Sequence, residues 1–319
     1  MKEIGGYLEL ETLIHREYYP ELLALNTARN AFVYLCKARN IQKVYLPYFL
    51  CDSLAGVCRR EHIDYGYYPL GADFLPQFDR TLGAHEWLYV VNYYGQMRRD
   101  QMEALKSAYG NLIMDNVQAF FERPVPGVDT IYSCRKFFGV PDGAYLSTDA
   151  AELPLEADSS RERMAHLLGR YEGDSASAYY EAFQHNEERF DALPLRAMSR
   201  ITHALLGAVD YDAVIRKRDA NWACLHGALG ARNRLQLIAP AGPYMYPLYI
   251  ENGAQIRKAL VKQKIYIPTL WPNVLDFDGC ELEKDYAENI LPLPVDQRYS
   301  EEDMRYLVEQ ILTCEESKL

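Results

Sequence analysis

Between residues 25 and 148 short apolar runs alternate with helical stretches, and no other feature restricts the fold as much. Helical patterning covers residues 29–38, 52–61 and 99–109. Strand-like runs fall at 43–46 (broken by Pro47), 63–67, 87–92, 112–114, 130–132 and 144–146. Short strands joined through helices predict an α/β fold with a mostly parallel, mixed sheet covered by helices on both faces. Ligands of such sheets sit beyond the carboxyl ends of the strands. From 152 to 229 polar helical segments take over, the clearest at 161–171, 176–190 and 212–229. Beyond Pro240 strands at 246–250, 265–267 and 289–293, a helix at 253–263 and a last helix opened by Ser300 predict a smaller α+β unit. The expected division is a large domain over 1–210 and a small one over 211–319.

A formal charge of -11 excludes non-specific nucleic-acid binding, because no basic stripe is present to release counterions. The seven cysteines contain no Cys-x-x-Cys pair, and their odd number in a large chain points to a reducing cytoplasm rather than a disulfide framework. The start, Met1-Lys2-Glu3-Ile4-Gly5-Gly6, lacks a signal pattern, and no apolar run approaches the ~20 residues of a membrane span. The seven histidines, His15 among them, lack ligand spacing, so no metal site is expected.

Two strand ends carry the chemistry. The run 111–114 ends in Asp115, and the run ending at Ser133 leads to Lys136, followed by Phe137 and Phe138. An amine and a carboxylate at the ends of adjacent strands suit pyridoxal 5'-phosphate (PLP): the amine forms a Schiff base and the carboxylate keeps the pyridine nitrogen protonated. Burial between aromatics would suit the lysine to that role. Gln118 is placed against the ring or its hydroxyl. Asn26-Thr27-Ala28-Arg29 precedes a helix whose first N–H groups can face an anion, and Ser133 adds a hydroxyl. Phe49 or Cys51 covers a ring face. Plainer readings stand beside these: a surface lysine, a helix-capping Asp115, an N-cap at Asn26 or Thr27, and a core Phe49.

These blocks resemble the DegT/StrS family of PLP-dependent sugar aminotransferases, over most of the chain. Asn26-Thr27-Ala28-Arg29-Asn30-Ala31 resembles its phosphate loop, Val90-Val91-Asn92-Tyr93-Tyr94-Gly95-Gln96 one of its strand ends, and Asp115-Asn116-Val117-Gln118-Ala119 its Asp-x-x-Gln-Ala signature. Lys136 with Gly143-Ala144-Tyr145-Leu146-Ser147-Thr148, and 264–267 with 291–294 and 300–303 near the end, complete the likeness. Tyr132-Ser133-Cys134-Arg135 departs from the family's Ser-Phe-His block. The resemblance implies PLP fold type I and a homodimer with its active site at the interface. It implies Lys136 as Schiff-base lysine and proton shuttle, Asp115 as pyridinium partner, Gln118 as ring contact, and Thr27, Ala28, Arg29 and Ser133 as phosphate ligands. The activity implied is transfer of an amino group from an amino acid such as glutamate to a keto sugar carried on a nucleotide. Another PLP reaction, or a non-catalytic protein keeping the fold, are the other readings of these residues.

Overall fold

The computed structural model describes residues 13, 16–173 and 177–316; His15, residues 1–6 and Ala176, the first residue of one expected helix, lie outside them. The elements run β1 (Leu23–Leu25), α1 (Ala28–Ala38), β2 (Lys43–Pro47), α2 (Asp52–Arg60), β3 (Asp64–Tyr68), β4 (Glu86–Val91), α3 (Arg99–Tyr109), β5 (Leu112–Asp115), β6 (Asp129–Ser133) and β7 (Ala144–Ser147). Next come α4 (Ala165–Glu172), α5 (Tyr180–Arg189), α6 (Arg200–Gly207), α7 (Tyr211–Leu229), β8 (Met245–Tyr249), α8 (Gly253–Lys262), α9 (Glu281–Asn289), β9 (Ile290–Pro294) and α10 (Glu301–Glu316).

The seven-stranded sheet has the order β1-β7-β6-β5-β4-β2-β3. Strands β3, β2, β4, β5 and β6 are mutually parallel, and β7 runs antiparallel to both β6 and β1. The carboxyl ends of β4, β5 and β6 therefore open on one edge, with Asp115 and Ser133 as the last residues of β5 and β6. β5 and β6 are buried along their whole length, which is why they read as continuous apolar runs without alternation.

Three clusters make up the interior. The first joins the large sheet to α1 and α2. A second, drawn from residues 222–314, packs α7, α8 and α10 on the antiparallel pair β8–β9. Trp271, Val274, Cys280 and Tyr286 come from that same stretch of chain but join the first cluster. The third is largely aromatic: Tyr19, Phe120, Phe121, Tyr132, Phe137, Phe138 and Tyr145 meet there.

Several expected elements differ. Strand β2 continues through Pro47, which stands at its last position, where a missing N–H costs least. Residues 265–267 form no strand; they find no pairing edge, and Ile267 is buried in the second cluster instead. The helix expected at 161–171 splits into a 3₁₀ turn (Arg161–Arg163) and α4, because Arg163 turns inward to the buried Asp142 and Asp158 at 3.0 and 2.9 Å. The segment expected at 176–190 likewise has a 3₁₀ turn (Ser177–Tyr179) before α5. β1, α6 and α9 carried no sequence expectation.

One loop decides where the strand ends meet. Gly143 has φ +113°, and its N–H donates to the Asn26 carbonyl at 2.7 Å while its carbonyl accepts from Cys134 N–H at 3.0 Å. A Cβ there would stand 2.9 Å from Thr202 Cγ2 and 3.2 Å from Cys134 Cβ. Only glycine meets both demands. Gly143→Ala is expected to lower stability by about 1–3 kcal/mol; a thermal melt matching wild type would show that the loop has room to give.

Candidate active site

Asp115, Ser133, Lys136, Thr27, Ala28, Arg29 and Cys51 all line one cleft of about 440 Å³ beyond the carboxyl ends of the strands. Phe49 and Gln118 do not line it.

The acid end is rigid. Asp115 is 4% exposed. Its Oδ1 accepts from Val117 N–H at 2.8 Å and its Oδ2 from the Tyr89 hydroxyl at 2.8 Å. Val91 of β4 is the register partner of Asp115, so Tyr89, two residues earlier, lies on the same face one step diagonally away. Burial drives the carboxyl above the usual carboxylate range, against the pull of the Val117 N–H, the Tyr89 hydroxyl and the Lys136 ammonium. Burial, aided by the Asp115 charge, pushes the Tyr89 phenol well up, so it remains a donor.

The lysine is placed differently from the expectation. Lys136 ends a 3₁₀ turn (Cys134–Lys136) and is exposed, so its amine is not desolvated between aromatics. Phe137 and Phe138 turn away into the third cluster, where they meet Phe120 and Phe121, and this anchors the turn while releasing the lysine into the cleft. The Phe137 carbonyl accepts from Arg218 Nη2 at 3.2 Å and Gln297 Nε2 at 2.9 Å, tying the turn to the C-terminal part. Lys136 Nζ lies 5.4 Å from the Tyr244 ring centroid.

The start of α1 also lines the cleft. Thr27 is its N-cap, with Oγ1 accepting from Asn30 N–H at 3.0 Å, which leaves the hydroxyl proton and the first N–H groups of the helix toward the cleft. Asn26, one residue earlier, is held inside by Asp158 at 3.1 Å and the Pro194 carbonyl at 3.0 Å. Ser133, 8% exposed, faces the same space.

Two expected residues sit elsewhere. Phe49 is fully buried because it fills a core site between Tyr93, Tyr286 and Trp271; it meets Trp271, which does line the cleft, edge-on at 4.6 Å. Gln118 lies one layer behind the cleft: its Oε1 accepts from Tyr94 N–H at 2.8 Å, and its Nε2 is buried without a hydrogen-bond partner among the described residues. That interaction braces Tyr94 in the left-handed region, φ +55°. Cys51 is exposed at the start of α2, its Sγ 2.8 Å from Ser53 Oγ.

Sequence reasoning missed Tyr89, Arg135, Arg218, Tyr244, Trp271 and Arg298, all of which line the cleft. Strand register leads to Tyr89, and adjacency to Lys136 marks Arg135; the other four arrive through tertiary packing and carry no local signal. Arg218 is almost completely buried, donating to the Pro243 carbonyl at 2.8 Å and Gln297 Oε1 at 2.9 Å, and burial pushes its pKa down to about 10. Arg298 grips Asp296 through two bonds of 2.6 and 2.8 Å. Burial acts to raise Asp296, but these bonds outweigh it and hold the carboxyl below its ordinary range.

No protein-family model matches the chain, and no curated protein matches it in sequence. Solved structures do share its fold. A putative sugar aminotransferase, Spr1654 from Streptococcus pneumoniae, in its PLP form, superposes with a TM-score of 0.67 at 16% identity, covering 94% of this chain and 88% of that one. A DegT DnrJ EryC1 StrS aminotransferase from Brucella abortus gives 0.64 at 15%, covering 92% and 85%. DesI, solved in the presence of its TDP-sugar product, gives 0.62 at 15%, covering 92% and 80%. The chain therefore has the fold of these aminotransferases.

The Asp115 shift has a pH signature. An acid whose folded pKa is raised binds its proton more tightly in the folded state. Its contribution is greatest below the unfolded pKa and is lost as pH rises through the folded value. Asp115→Asn removes that loss, so the melting temperature of the variant relative to wild type is expected to climb as pH rises from the ordinary aspartate value of about 4 toward neutrality. A difference that stays flat across that range would mean that burying this carboxylate carries no such cost.

Proposed function

We propose that this chain is a PLP-dependent aminotransferase that moves an amino group from an amino acid such as glutamate to a keto sugar, probing its cofactor from both ends with Lys136 and Asp115. The observation that carries the reading is their convergence with the α1 N-terminus in one cleft. Its size falls within the ~300–1,000 Å³ of small-molecule sites. The donor set fits the cofactor: a buried carboxylate with no cationic hydrogen-bond partner among the described residues, an amine whose charge acts on it through space, and hydroxyls and helix N–H groups for a phosphate.

When bound, PLP supplies an electron-poor ring that stabilises negative charge on the substrate carbon. Asp115 accepts a hydrogen bond from the ring nitrogen, its position fixed by Tyr89 and Val117. Thr27, Ser133 and the N–H groups of Ala28 and Arg29 hold the phosphate. Lys136 Nζ would hold the cofactor and would be the group in the cleft able to take up and give back a proton. Cys51 contributes to one wall, with Trp271 backed by Phe49. Arg218 and Arg298 make the C-terminal side of the cleft cationic, which suits carboxylates of an amino donor or phosphates of a nucleotide-linked sugar. The likeness to a protein solved with its TDP-sugar product supports the latter acceptor. The proposal includes a homodimer, for which the exposed Leu168 and Tyr171 of α4 offer apolar surface, and a cytoplasmic site, where the free cysteines stay reduced.

Added PLP is expected to give the protein a visible absorption band that glutamate bleaches. Lys136→Ala is expected to abolish the band and to cut turnover by about 10²–10⁴-fold with the fold intact by circular dichroism. Absence of the band in wild type, or its survival in the variant, would defeat the proposal.

A further inference from the structure

Arg218, from the middle of α7, is the least accounted-for group in the cleft. It is 1% exposed, yet no carboxylate pairs with it among the described residues. Asp296, which also lines the cleft, is taken by Arg298. A guanidinium kept from water and left without a counter-charge is unfavourable, and a neutral side chain of similar size would fill the same space at less cost. The forked donors of Arg218 therefore matter more than its bulk.

All three of its nitrogens find acceptors in the protein. Nε donates to Gln297 Oε1 at 2.9 Å, Nη1 to the Pro243 and Tyr244 carbonyls at 2.8 and 3.4 Å, and Nη2 to the Phe137 carbonyl at 3.2 Å. Gln297 closes the ring, because its Nε2 donates to the same Phe137 carbonyl at 2.9 Å. Phe137 directly follows Lys136, and the Tyr244 ring lies 5.4 Å from Lys136 Nζ. One guanidinium thus grips the backbone of the residue after the amine and of the residue whose ring lies near it. A second cavity, of about 510 Å³, reaches Phe138, Gly139 and Gln297. The turn therefore borders two open spaces, and its carbonyl side is held by hydrogen bonds more than by close packing.

We propose that Arg218 and Gln297 are positioning residues for Lys136: together they fix the turn that carries the amine, and they do so from the C-terminal part of the chain. Gln297 stands between Asp296 and Arg298, both of which line the cleft. A shift of that short segment moves a donor to the Phe137 carbonyl, so the placement of the lysine depends on the loop that presents Arg298. Their role rests on the reading of Lys136 as the reactive amine. A reacting group displaced by about 1 Å can lose about 10²-fold in rate, and a brace on the turn guards against that displacement.

Gln297→Glu separates positioning from plain support. The carboxylate still accepts from Arg218 Nε and gives it a counter-charge, but it meets the Phe137 carbonyl acceptor to acceptor. In the full chain without cofactor, hydrogen exchange is read at the Phe137 and Phe138 N–H groups, which donate to the Cys134 carbonyl at 3.1 and 2.9 Å. It is expected to quicken about fivefold to tenfold, while the melting temperature stays at or above the wild-type value. Added PLP is expected to develop its visible band about tenfold or more slowly. Arg218→Lys keeps the charge but not the fork, and is expected to loosen the turn as well. Gln297→Asn, one methylene shorter, is expected to do the same and replaces the glutamate variant if that one misfolds. Exchange at the turn that matches wild type, or that quickens only in step with the whole sheet, would overturn the proposal, as would a band that forms at the wild-type rate. If wild type forms no band, the function proposed above fails, and the exchange result still decides whether Gln297 and Arg218 hold the turn.

Discussion

Two successive backbone hydrogen bonds through Gly143 hold the site together. One joins Gly143 N–H to Asn26, just before α1, and the other joins its carbonyl to Cys134, at the start of the turn that ends in Lys136. Three segments far apart in sequence are thereby set at fixed spacing, and a side chain at position 143 would wedge them apart. The neighbouring Asp142 is fully buried; it accepts from Arg163 and Ser199 at 3.0 Å each and from the Thr202 hydroxyl. Breaking one side of such a buried ion pair strands a charge and costs about 3–5 kcal/mol. The polar layer under the cleft is thus a support for the loop, and its residues do not line the site.

The electrostatics of the cleft run against those of the chain. At a net charge of -11 the protein repels anions at long range, yet among the described residues the lining brings Arg29, Arg135, Lys136, Arg218 and Arg298 against Asp115, Glu187 and Asp296. Close contacts outweigh the distant field here, because solvent charges are screened beyond about 8–10 Å while groups facing each other in a cleft are not. Asp296 is already committed to Arg298. What remains is a locally cationic lining in an acidic protein.

Much of this was legible in the sequence, and the failures have physical causes. The parallel strands β5 and β6 were visible as apolar runs because each is buried along its whole length, and α3 was bounded correctly by its own periodicity. Asp115, Ser133 and Lys136 were visible because they stand at or just beyond strand ends, where the apolar pattern stops. β1 is three residues long and too short to show a period; α6 and α9, of eight and nine residues, span little more than two turns each. Phe49 illustrates the reverse error. A ring near the site in sequence was expected to face the ligand, but full burial against Tyr93 and Trp271 is the stronger pull on a phenylalanine. Arg218 and Arg298 are brought to the cleft from more than eighty residues beyond Lys136, and nothing local announces them.

Asp115 and Lys136 are held in opposite ways. Asp115 is buried and clamped by two hydrogen bonds, a geometry that fixes one direction of approach and accepts the free-energy cost of a desolvated carboxylate. Lys136 stands exposed at the end of a short turn with no ion-pair partner among the described residues, while its neighbours Phe137 and Phe138 carry the anchoring. On the function proposed above the lysine exchanges one bonding partner for another and moves a proton, which calls for rotamer freedom; immobilising a lysine would remove up to about 2 kcal/mol of it. Placing the rigidity in the backbone turn and its two phenylalanines, and leaving the amine on a free four-carbon stem, gives positional accuracy without that loss. The expectation of a buried lysine assumed that the aromatics act on the amine; they act on the turn that carries it.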